Sequence, residues 1–117
     1  MDTNSNKSRL LESCIGAARE LKNLIDYSDD SVVSKTILDK KVGTITLFAF
    51  DKGQGLSEHT SPYDAVVQII DGLGQFKIGK TEVPAKEGQI LIMPANIPHA
   101  VKAVEKFKML LTMIKSN

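Results

Sequence analysis

The chain is poor in the residues that staple, anchor or steer a protein. Of its 117 residues one is cysteine, Cys14, so no disulfide can close within the chain. A lone thiol fits a reducing compartment. The formal net charge is +1 and the lysines are scattered, so the basic face that grips a phosphate backbone is missing and nucleic acid is not an expected partner. Apolar runs fall far short of a bilayer span, and the start, MDTNSNKSRL, has no apolar core of a secretion signal. A membrane is therefore not an expected partner, and the expected location is the cytoplasm. Histidine is scarce too: His59 and His99 are the only two.

What is present is ordinary globular material, 42% hydrophobic and 25% charged. The length suits one domain of about 100–150 residues with a core of its own. Residues 1–30 read as a tail and a helix, and residues 31–117 as a barrel domain. Met1 to Lys7 is polar and without periodicity. From Ser8 to Ile25, apolar residues at Leu11, Cys14, Ile15, Ala18, Leu21 and Ile25 recur at three- and four-residue steps. That spacing predicts one amphipathic helix, capped by Ser8 and covering a barrel face or the end of a dimer interface. Cys14 falls on its apolar stripe, as a packed thiol does. The acidic run DYSDDS that follows reads as a solvated loop. Its adjacent Asp29 and Asp30 are badly placed to converge on one substrate.

From Ser31 the period changes to two. Strands are predicted at 32–39, 42–51, 65–71, 75–78, 81–84, 89–93, 99–105 and 107–115. Turn signals separate them, among them Asp71-Gly72, Gly79-Lys80 and the run PANIP. Short strands without intervening helices predict an all-β sandwich or barrel. The run Ile90-Leu91-Ile92-Met93 is apolar on both faces and reads as a central strand. Val66, Val67, Ile69 and Ile70 give their strand the same character. A small barrel cannot easily cover two such strands alone. A face-to-face homodimer, with or without exchange of the strand at 32–39, would cover them; the N-terminal helix is the competing cover.

Two blocks, GQGLSEHTSPYDAVVQIIDG from Gly53 and GQILIMPANIPHAVKA from Gly88, each hold one histidine. Together they resemble the paired motifs of the cupin family. Gly53, His59 and Gly72 match the first motif, while Ser61 stands at its second histidine and Ala65 at its glutamate. Gly88, Pro94 and His99 match the second, with Asn96 at the inner glycine and Ala103 at the final asparagine. The resemblance covers roughly residues 32–115 and is nearest to small single-domain cupins without assigned function. It implies a conical jelly-roll barrel with a divalent metal inside, held by three histidines and a glutamate. Only His59 and His99 of those ligands carry over. Two readings follow: a divalent metal (Zn, Ni, Fe, Mn or Cu) held weakly by two imidazoles and water, or no cofactor, with the two rings partly buried and hydrogen-bonded to each other, Ser61, Tyr63 or water.

A third carboxylate ligand is hard to find. Glu58 and Asp64 are the nearest, and each is out of phase with His59, Ser61 and Ala65 on a regular strand. A bulge near Pro62 would re-aim Asp64; Gln68 is out of phase as well. Tyr63 reads as a rim residue or a general acid. Ser61 as a nucleophile lacks an orienting acid and an oxyanion hole. The expected ligand-binding residues are thus His59, Ser61, Tyr63 and His99, with Phe48, Phe50, Met93, Met109 and Met113 as core or cavity wall. Three functions stay open: a binder of a small organic molecule, a metal-dependent dioxygenase or isomerase, and an inert structural dimer whose barrel is filled.

Overall fold

The computed structural model describes residues 9–116. The expected tail at 1–7 and the Ser8 cap lie outside them. Eight strands follow a short helix: β1 Val32–Lys40, β2 Gly43–Phe50, β3 Gly55–His59, β4 Tyr63–Ile78, β5 Thr81–Lys86, β6 Ile90–Met93, β7 His99–Lys102 and β8 Phe107–Lys115. All pairings are antiparallel. The path runs β1-β2-β8-β4-β7-β3, with β5 and β6 also on β4.

β4 makes the barrel. It is one strand of 16 residues where the Asp71-Gly72 pair predicted a turn between two. Its first half lies between β8 and β6, and its second between β5 and β7. The passage from one sheet to the other is a register shift between Ile69 and Asp71, followed by Gly72 at φ +77°. A turn signal inside a continuous strand thus became a bulge, which bends the strand without ending it. Glycine is required there twice over. The conformation is left-handed, and a Cβ would lie 2.1 Å from the Lys106 carbonyl oxygen.

The inward residues of β8 grade the interior from floor to mouth: Phe107, Met109, Leu111, Met113. At the floor, Phe107 stacks on Phe50 with ring centroids 4.6 Å apart and meets Phe76 edge-on at 5.9 Å. Gly74 leaves the notch for this ring, since a Cβ there would sit 2.8 Å from it. Val67, Ile69 and Val101 close the middle. Large rings at one end and a small Ala65 near the other taper the barrel, leaving its space beside β3 and β7.

The expected helix over 8–25 is cut short. It spans Arg9–Cys14, and a 3-10 turn spans Leu21–Asn23. Gly16 at φ +69° follows the last helical turn, as a left-handed residue commonly does where a helix stops. Ile15 is left exposed. Cys14 is a half-buried free thiol. The N-terminal segment still covers a barrel face: Leu10, Leu24, Ile25 and Tyr27 pack over Leu47, Ala49, Ile70 and Leu110 on the outer surface of β2, β4 and β8. Tyr27 locks it by donating its hydroxyl to Asp71 at 2.7 Å, with the Lys106 and Lys108 ammonium groups within 5 Å of its ring centre. Burial, then the bond to Asp71 and that residue's charge, hold the phenol well above its ordinary value of 10.0.

The remainder of that outer surface is bare. β6 is an edge strand pairing only with β4, not the central strand its composition predicted; Ile90 and Ile92 are 63% and 50% exposed. Ile45, Thr112, Val66 and Ile92 are successive cross-strand partners across β2, β8, β4 and β6, which makes one unbroken β-branched row. β1 pairs with β2 of its own chain.

Candidate functional site

The two histidines meet at the barrel mouth because their strands pair. His59 at the end of β3 is the direct partner of His99 at the start of β7. Their rings stand edge to face with centroids 4.4 Å apart. One bulge makes the meeting work. Between Leu56 and His59 the β3 register slips against β7. Leu56 and His59 are three residues apart, yet both reach the cavity, which a regular strand would forbid. The bulge therefore lies before His59, whereas the sequence reading looked for one near Pro62.

Both rings are held by the same device. His59 Nδ1 lies 2.7 Å from the Ser57 carbonyl oxygen, and His99 Nδ1 lies 3.1 Å from that of Ile97. A carbonyl oxygen can only accept, so each Nδ1 carries the proton and donates it. The neutral form of each ring then has its lone pair on Nε2, the arrangement common to imidazoles that bind metals or accept a proton from a ligand. His99 is 4% exposed and His59 is open to solvent, so the pair spans the boundary between the cavity and the outside.

Below them lies a cavity of about 50 Å³. His59, Ser61, Ala65 and His99 form its upper wall. Leu56, Val101, Leu111 and the three methionines Met93, Met109 and Met113 form the rest. One or two waters fill such a volume, since a water's share of the liquid is about 30 Å³. The enclosed part is thus far smaller than the roomy apolar chamber that Ser61 and Ala65 suggest on paper. Any larger ligand must extend outward past His59. A hollow of about 500 Å³ lies elsewhere, between the helix and β1, lined by Arg9, Leu10, Ser13, Lys35 and Thr36. It brings no convergent pair of donors together, and the histidine cavity is the better site in spite of its size.

The other expected residues are placed as follows. Ser61 lines the cavity, and its Oγ accepts a long bond from the Tyr63 amide at 3.4 Å. Tyr63 opens β4, half-buried and in phase with Ala65, but does not line the cavity. Asp64 is exposed, and its Oδ1 accepts from the Ala95 amide at 2.9 Å, so it pins the PANIP loop. Glu58 pairs with Lys77 at 3.5 Å on the outside. Gln68 is exposed. Asn96, at the motif's inner glycine, sits at φ 65° and donates its amide to the Ser61 carbonyl at 2.8 Å. Asparagine tolerates that conformation better than most residues, so the loop keeps its shape without glycine. Sequence reasoning passed over Leu56 and Val101 as walls. An unforeseen β3 hid both, and the Gly53–Gly55 pair was the distracting signal.

Residues 46–115 match the family model for the cupin domain. The chain belongs to the cupin family. A conserved protein of unknown function from Streptococcus pyogenes is 39% identical over 86% of this chain and 89% of its own, with a TM-score of 0.83. A cupin 2 conserved barrel protein from Leptotrichia buccalis is 38% identical, with a TM-score of 0.78, over 80% of this cupin but 46% of that longer chain. A cupin superfamily protein from Desulfitobacterium hafniense, at 24% identity and a TM-score of 0.82 over 86% and 92% of the two chains, shares the fold. No protein with a curated description matches. The family's ligand set does not fit this cupin. Ala65 has no donor, the nearby carboxylates point away, and among the described residues no three of His, Cys, Asp and Glu gather to hold a metal. No helix among them is long and apolar enough to cross a membrane.

Proposed function

We propose that this cupin is a binding protein for a small ligand at the barrel mouth, received by His59 and His99 directly or through a loosely held divalent metal. One observation carries the reading. Two adjacent imidazoles that line one cavity have both Nδ1 atoms engaged by backbone carbonyls, which leaves each Nε2 lone pair uncommitted to those bonds. Ser61 is the nearest further polar contact, with Leu56 and the methionines as apolar walls. A binder fits better than a dioxygenase or isomerase, because a two-histidine, one-carboxylate centre needs an acid that neither Glu58 nor Asp64 supplies. An inert barrel fits less well, since preorganised imidazoles over a cavity have no packing purpose.

The test is titration of tag-free protein with Zn(II). One equivalent per chain should bind, weaken on acidification as protons compete for the same lone pairs, and leave on dialysis. Tight stoichiometric iron, manganese or nickel retained through purification would favour the enzyme instead. No binding of zinc at any pH would count against the reading.

The working form is read as a cytoplasmic homodimer. The row Ile45–Thr112–Val66–Ile92, extended by Ile90, is uncharged and partly or largely exposed, which suits sheet-on-sheet packing about a two-fold axis. Sedimentation should give a dimer at micromolar concentration and a monomer for Ile92→Lys. A monomeric parent, or a dimer undisturbed by the lysine, would contradict it.

A further inference from the structure

The cavity is unusual in what replaces the missing acid. Ala65 stands at the family's glutamate position, and its two cross-strand partners are both methionine: Met93 on β6 and Met113 on β8. Directly opposed residues on antiparallel strands point to the same face, so two thioethers flank the vacant position from either side. Met109 lines the same cavity from deeper in β8. No carboxylate faces it. The donors that line it are therefore two imidazoles, the Ser61 hydroxyl and soft sulfur. Hard Mn(II) or Fe(II) prefer oxygen, and zinc gains little from a thioether; a mixed imidazole–thioether set selects monovalent copper.

We infer that the cavity is a copper(I) site, with His59 and His99 giving Nε2 and Met93 and Met113 giving thioether sulfur. This rests on the two-histidine reading and adds the methionines to it. The enclosed volume agrees: about 50 Å³ takes one ion with little else, and its walls are largely apolar.

The test is anaerobic titration of the Cys14→Ser protein with Cu(I) in competition with bicinchoninate. The serine removes the one thiol that would bind copper on its own. One Cu(I) per chain should be withheld from the chelator, and X-ray absorption should show both nitrogen and sulfur neighbours. The Met93→Leu/Met113→Leu pair keeps side-chain volume and should fold. It should weaken Cu(I) binding at least tenfold and Zn(II) binding far less. Unchanged copper affinity in that variant, or a nitrogen-only shell, overturns the thioether assignment while the histidine site stands. Loss of copper on Cys14→Ser alone places the metal on the thiol and overturns the inference. Failure of the parent to bind either Zn(II) or Cu(I) overturns both readings.

Discussion

Phe107→Ala should cost about 3–5 kcal/mol of stability, as truncation of a fully buried aromatic does. The ring has no exposure, stacks on Phe50, meets Phe76 edge-on and fills the notch left by Gly74. The stacking geometry adds roughly 0.5–1.5 kcal/mol beyond area burial. Few neighbours can close the hole, because they lie on strands held by their cross-strand hydrogen bonds. Against a total of about 5–15 kcal/mol for a domain, such a loss shifts the denaturation midpoint far down. Urea unfolding followed by far-UV circular dichroism measures it. A loss below about 1 kcal/mol would mean that the floor is not the packing centre described here.

The largest functional effect should come from His99→Ala. This ring is buried, held by the Ile97 carbonyl and partnered across the strands with His59. Removing even an outer partner of a metal-binding imidazole commonly costs 10–100-fold in affinity. Loss of one of two donor rings should therefore weaken Zn(II) uptake by about a hundredfold or more. His59→Ala, at a solvent-open position, should do the same while leaving the fold untouched, so misfolding cannot account for both. Uptake unchanged in either variant would place zinc elsewhere on the molecule.

Much of the architecture was legible in the residues. Alternation located seven of the eight strands, and β8 ends where its apolar pattern ends. Local signals failed where tertiary context reused them. Asp71-Gly72 marks a turn in most chains, but here partners on both sides of β4 carry the strand through and the glycine serves a bulge. The Leu11–Ile25 spacing was helical on paper, yet it ran through Gly16, whose left-handed conformation accompanies the helix stop. The apolar run at 90–93 suggested a central strand, because composition reports apolar faces and cannot say which neighbour covers them.

The site was half legible. Motif spacing paired His59 with His99 and showed Ala65 as a gap in the ligand set. It could not show the bulge before His59, which depends on β3 meeting β7, nor the outward use of Asp64 on the PANIP loop. The size of the cavity was hidden for a related reason. Small residues at 61 and 65 open space only if their neighbours do not fill it, and Met93 and Met113 sit on either side.

The most direct measurement is nitrogen NMR of the two imidazoles in ¹⁵N-labelled protein, before and after zinc. In the free protein, the neutral form of each ring should be the Nδ1–H tautomer with an unprotonated Nε2, and added zinc should move both Nε2 resonances together. A ring protonated at Nε2 with a bare Nδ1, or an Nε2 signal indifferent to the metal, would contradict a shared site at the barrel mouth.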